Sequence, residues 1–114
     1  MAADNYARSL RDLQRDKEAK ALMRKIILVA RRVLGDKDRL TLRMRMNYAT
    51  ALYEDPAATL EDLREAVTTL EETSRTARRI LGSEHPTTKT IEWRLGQART
   101  VLRAREDGKK VKFV

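Results

Sequence analysis

His85 is the only histidine in a chain that has no cysteine. A histidine acting as a base in nucleophilic catalysis needs a hydroxyl or thiol within reach and a carboxylate to orient its ring. Ser83 and Glu84 are the local candidates, but they lie between Gly82 and Pro86, in what reads as an interhelical turn. The ring is better placed to cap that turn than to move a proton. One histidine without thiolates does not make a metal site. Five carboxylates (Glu61, Asp62, Glu65, Glu71 and Glu72) crowd one segment. Glu61 and Glu65 share a helical face without a basic residue between them, which reads as a solvated acidic face. No glycine-rich phosphate loop occurs. The expectation is a non-enzymatic protein with no catalytic residue, no cofactor and no metal.

Contact chemistry is better represented. Trp93 is the single tryptophan. Burial in the core is the default for such a side chain, and an anchor for a partner is the alternative. Arg99, Arg103, Lys109, Lys110 and Lys112 form a candidate set of basic contacts near the end of the chain. Phosphate contacts need only charge and reach, so electrostatic RNA binding is one reading. Sequence-specific RNA binding usually adds exposed aromatics, and aromatic residues are 4 % of this chain. Nucleic acid therefore ranks behind a protein or peptide partner.

The elements that would position these groups are announced by a repetition. Residues 30–35 read Ala-Arg-Arg-Val-Leu-Gly and residues 77–82 read Ala-Arg-Arg-Ile-Leu-Gly, 47 positions apart. The phase continues through Thr41 and Thr88, Met44 and Ile91, Tyr48 and Leu95, Ala49 and Gly96, and Ala51 and Ala98. Met46 and Trp93 share one such position. A fixed period in a helix-forming sequence points to stacked helical hairpins. Gly35 and Gly82 are natural stops, because glycine enters the left-handed conformation at little cost. Asp16, Asp38, Asp55-Pro56 and His85-Pro86 are candidate starts. The spacing predicts five helices, near 4–14, 17–34, 39–53, 57–81 and 87–105, each with apolar residues at helical period. Short loops make neighbours antiparallel. The expected domain is 1–106, with repeats at about 4–35 and 36–82, a closing helix at 87–105 and a basic flexible tail at 107–114. The first helix reads as truncated, from which we expect an absent N-terminal partner or a domain boundary.

The chain has 114 residues, 37 % of them charged, and a net charge of +8. One modest core is the upper limit at this length. Residues 1–50 carry +7, residues 51–75 carry −5 and residues 76–114 carry +6. This segmentation reads either as solvated helix faces or as a basic surface for an acidic partner. The start has no basic region followed by an apolar run, so it does not read as a secretory leader. The longest strongly apolar stretch, 26–30, is too short to insert in a membrane. An intracellular, cytoplasmic setting is expected, with an organelle left open.

The segment from Ala77 to Thr88 resembles the tetratricopeptide repeats of the kinesin light chain type. Leu81, Gly82, Glu84, His85, Pro86 and Thr88 fall on that signature. Asn47-Tyr48-Ala49 with Ala51-Leu52-Tyr53 resembles the first helix of such a repeat. The stretch from Lys17 to Gly35 resembles a second helix, and Asn5-Tyr6-Ala7 with Leu10 resembles the end of a first one. The period is longer than the family's, with the surplus around 55–59, and the first junction has Asp38-Arg39 where His-Pro is expected.

The resemblance implies an all-α, short right-handed stack of antiparallel helical hairpins, an α-solenoid. It also implies an adaptor that receives a peptide or partner helix on a concave groove lined by the first, third and fifth helices. Asparagines in that groove bind a peptide backbone, for which their paired donor and acceptor suit them. Arg43, Arg45 and Arg94 add charge for carboxylates. The candidate groove residues are Asn5, Arg43, Met46, Asn47, Trp93 and Arg94. A second reading is a small structural subunit that self-associates or docks into a larger complex through its end faces and tail.

Overall fold

A computed structural model describes the backbone of residues 2–108 and the side chains of residues 14–108. Four helices follow one another: α1 (Ala2–Val33), α2 (Arg39–Glu54), α3 (Leu60–Leu81) and α4 (Pro86–Glu106). The repeat sets their phase. Moving 47 positions along the chain takes the end of α1 to the end of α3 and the start of α2 to the start of α4. Gly35 and Gly82 adopt φ of 94° and 91°, a left-handed backbone that a Cβ would strain. The Gly82 N–H donates to the Arg78 carbonyl at 3.1 Å and closes the last turn of α3. Asp38 and His85 then open α2 and α4 as equivalent N-caps, accepting from the Leu40 and Thr87 N–H groups at 2.9 and 3.1 Å.

Two expectations are corrected. The predicted helices at 4–14 and 17–34 are one continuous helix, so the described residues hold four helices and residues 4–35 form no hairpin. Asp16 caps nothing. Its carboxylate reaches forward to Lys20 Nζ at 2.9 Å, an i,i+4 pair within the helix. No glycine or proline lies between Ala2 and Val33, and Ala, Arg, Leu and Lys are plentiful, so nothing locally favours a break. The helix expected from residue 57 begins at Leu60. Thr59 is its N-cap, in a reciprocal capping box with Asp62 at 3.1 Å in both directions. The surplus of the long period is a loop, 55–59. The Arg105 guanidinium holds that loop by donating to the Ala58 carbonyl at 2.6 Å.

The core runs along α3. Leu63, Ala66, Leu70, Thr73 and Ala77 are fully enclosed between α2 and α4, which contribute Leu42, Ala49, Leu52, Ile91 and Ala98. Helix α1 packs against α2 far less extensively. Its 32 residues span about 48 Å at the α-helical rise, close to the molecule's long dimension of 53 Å. The radius of gyration, 15.8 Å, exceeds the roughly 13 Å of a compact domain this size. The shape is elongated because α1 extends beyond the bundle formed by the other three helices.

Leu70→Ala should cost about 2–5 kcal/mol, because it opens a cavity where α3 has no room to relax. Leu22→Ala, on the exposed side of α1, should stay within about 0.5 kcal/mol. Urea unfolding followed by circular dichroism separates the two.

Candidate functional site

Helices α2 and α4 lie side by side, and two polar contacts stitch them. Arg94 Nη1 donates to Thr50 Oγ1 at 2.7 Å, and Thr50 in turn donates to the Met46 carbonyl at 2.9 Å. The Tyr53 hydroxyl and Gln97 Oε1 lie 3.0 Å apart. Between the helices opens a cleft lined by Arg39, Arg43 and Met46 on one side and Pro86, Thr87 and Thr90 on the other, with Leu42 and Leu81 completing it. Its volume of about 230 Å³ falls below the roughly 300–1,000 Å³ typical of small-molecule sites. A cleft this shallow suits a side chain of a larger partner better than an enclosed substrate.

The groove candidates divide on this surface. Arg43 and Asn47 are exposed on α2. Met46 is half-buried against the core. Trp93, for which core burial was the default, is 63 % exposed on α4. The core side of α4 is occupied by Ile91, Leu95 and Ala98, which leaves position 93 on the outside. Arg94 is half-buried and committed to Thr50, so it braces the helix pair instead of offering an unengaged charge. Its Nε is buried without a partner among the described residues. Arg45, expected to add groove charge, is buried and turned to α3, where it donates to Glu72 Oε2 at 2.6 Å. Asn47 also borders a mostly apolar cavity of about 260 Å³ between α1 and α2, beside Ala19, Met23 and Tyr48. The side chains of Asn5, Lys109, Lys110 and Lys112, and the expected flexibility of the tail, lie outside the described residues. Arg103 is exposed, while Arg99 pairs with Glu71 at 3.0 Å.

The acidic segment is not the solvated face that Glu61 and Glu65 suggested. Glu61 is exposed, but Glu65 accepts from Arg24 through both oxygens, at 2.7 and 3.1 Å, and from the Tyr48 hydroxyl at 2.7 Å. Arg24 also sits 5.9 Å from the centre of the Tyr48 ring. Asp62 accepts from Lys20 at 3.0 Å. Glu71 and Glu92 pair with Arg99 and Arg78 across the α3–α4 junction. The basic–acidic–basic order of the sequence thus becomes an acidic helix laid between basic ones. Residues 62, 65 and 72 share one face of α3, a pattern present in the sequence whose partners lie on other helices.

These ion pairs are structural in their chemistry. The Arg24 hydrogen bonds outweigh partial burial and hold the Glu65 carboxyl below its ordinary range. Burial would raise Asp62, but the Lys20 and Thr59 hydrogen bonds win and lower it. Burial, reinforced by the Glu65 hydrogen bond, pushes the Tyr48 hydroxyl well above its usual value. Carboxylates held ionised and phenols held neutral do not exchange protons near neutral pH. His85 Nδ1 is occupied as the α4 cap. Among the described residues, no group of three His, Cys, Asp or Glu side chains could hold a metal ion. Among the same residues, no helix is long and apolar enough to cross a membrane.

A family profile for the tetratricopeptide repeat matches residues 1–39 and 57–87, more than half of the chain. The chain belongs to the tetratricopeptide repeat family, whose helical repeats serve as scaffolds for protein–protein interaction. Each matched segment runs through a long helix (α1 or α3), its glycine stop and the N-cap of the next helix. Neither a search of curated proteins nor one of solved structures returned a match.

Because the Glu65 carboxyl is lowered in the folded state, the stability it contributes is present above its unfolded value, near pH 4.3. That contribution fades as pH falls through the lower folded value. Glu65→Gln should therefore lower the melting temperature at pH 7 and make its decline between pH 5 and pH 2 shallower than in the wild type. Thermal melts across that range test this.

Proposed function

We propose that this chain is a non-enzymatic interaction module that takes a peptide or partner helix on the face shared by α2 and α4. The observation that carries the reading is Trp93, a large aromatic side chain left outside the core on the helix that forms one wall of the cleft. Exposed tryptophans are the residues that most often dominate binding energy at interfaces. Asn47 offers a donor and an acceptor to an extended backbone, and Arg39 and Arg43 favour carboxylates in the occupant. The Leu81-Gly82 stop followed by Glu84-His85-Pro86, with His85 capping α4, supports the kinesin light chain-like subtype. That affinity concerns repeat architecture and carries no motor role with it.

Peptides selected from a displayed random library against the wild-type protein test the reading. Their affinity is then measured, with and without nuclease, for the wild type and for Asn47→Ala/Trp93→Ala. The double variant should bind about 30-fold more weakly, the loss of one interface hot spot, and nuclease should change nothing. Trp93 emission should shift to the blue on binding. Affinity unaffected by the double substitution would overturn the assignment of this face.

A further inference from the structure

Helix α1 carries an apolar seam that none of the described residues covers. Leu22, Ile26, Val29 and Val33 are 58, 39, 57 and 74 % exposed. Their spacing of four, three and four residues is that of a coiled-coil seam, and Ala19, also exposed, extends it by one place. The repeat shows that this face normally has a cover. The equivalent positions on α3 are Ala66, Thr69, Thr73, Thr76 and Ile80. Ala66 and Thr73 are fully enclosed there, and Thr69 and Thr76 are half-buried. The face that α3 turns inward is thus more apolar on α1 and open to solvent.

The opposite end of the stack is finished differently. The groove on α3 and α4 that repeats the seat of α3 is lined by Glu71, Arg75, Arg78, Glu92 and Arg99, among others. Arg78 pairs with Glu92 at 2.6 Å and Arg99 with Glu71 at 3.0 Å. The lining of that end is mostly polar. The seam of one copy stacked into it would bury aliphatic side chains against guanidinium groups, so head-to-tail self-assembly does not fit.

We infer that the α1 seam is a docking surface for an amphipathic helix of a partner protein, one whose apolar stripe is flanked by carboxylates. Charge decides the occupant. The solvent-side flank of the seam carries Glu18, Lys25 and Arg32, all exposed. In an antiparallel pair of α1 helices, the register that buries the whole seam sets Lys25 against Arg32 of the other copy, twice over. Like charges at such flanking positions disfavour self-pairing, and opposite charges select the partner. The chain already shows the preferred match internally, where the basic side chains of α1, Lys20 and Arg24, receive the acidic face of α3.

The test uses the full chain and two synthetic 21-residue helical peptides. Both carry Ile and Leu at alternating three- and four-residue spacing, one with Glu on the flanks and one with Lys. Fluorescence anisotropy should show the Glu-flanked peptide binding at least tenfold more tightly. Val29→Asp should abolish that binding without changing the circular dichroism spectrum, because the side chain is exposed. Lys25→Glu/Arg32→Glu should reverse the preference in favour of the Lys-flanked peptide. Asn47→Ala/Trp93→Ala should leave all of this unchanged, which separates the seam from the α2–α4 face. Equal binding of the two peptides, or binding that survives Val29→Asp, would overturn the inference. So would a dimer in sedimentation equilibrium that Val29→Asp dissociates, because the seam would then belong to a second copy.

Discussion

The packing of α3 is the constraint on which the rest depends. It is the helix packed most extensively, against α2 on one side and α4 on the other, and its Leu63, Ala66, Leu70 and Ala77 stripe is wholly removed from water. Small residues at 66, 73, 74 and 77 let α2 and α4 approach closely enough to leave no gap for water. The polar edge of the same helix is acidic, and its neighbours supply the cations: Arg24 and Lys20 from α1, Arg45 from α2 and Arg99 from α4. Apolar burial, which has no direction, draws the helices together. The ion pairs and the Tyr48–Glu65 hydrogen bond fix which edges meet, because a misplaced carboxylate would be left part-buried without a donor. Net charge alone would have suggested a basic protein open to any polyanion. The arrangement shows much of that charge already answered within the fold.

The same constraint explains why the surface between α2 and α4 is left open to solvent. Both helices commit their apolar stripes to α3 and meet each other through only a few residues. Arg94–Thr50 and Tyr53–Gln97 hold the pair at a fixed spacing, leaving Arg43, Asn47 and Trp93 on rigid elements facing outward. A binding surface built on braced helices loses little conformational entropy when occupied. Arg94 thereby changes meaning: it is a brace that sets the distance between the walls.

The two ends of the molecule are unequal, and the inequality follows from how a repeat array is built. Each unit buries one face against its predecessor and offers another to its successor. In this chain the successor face, the groove between α3 and α4, is bridged by the Arg78–Glu92 and Arg99–Glu71 ion pairs. The predecessor face, on α1, keeps a row of aliphatic side chains exposed. Equivalent positions in the two units show the difference directly, with threonines on α3 where α1 has Leu22, Ile26 and Val29.

Local signals in the sequence were sufficient for whatever local physics decides. Gly35 and Gly82 stop helices because a left-handed backbone is needed at those two points. Asp38 and His85 cap the following helices because their acceptors lie within two residues of the donors. The 47-residue repeat and the all-helical class follow from that punctuation and from apolar periodicity, and the family profile match adds the family. Only the tertiary structure decided the rest. Asp16 looked like a cap, yet its carboxylate bonds Lys20 within an unbroken helix. A cap needs a chain that leaves the helix, and no residue here makes it leave. Trp93 is outside because Ile91, Leu95 and Ala98 take the inner face of α4. Arg45 and Arg94 turn inward because Glu72 and Thr50, 27 and 44 residues away in sequence, are their nearest acceptors. Partners so distant in the chain are brought together only by helix packing, and that is where the linear pattern of charges acquired its meaning.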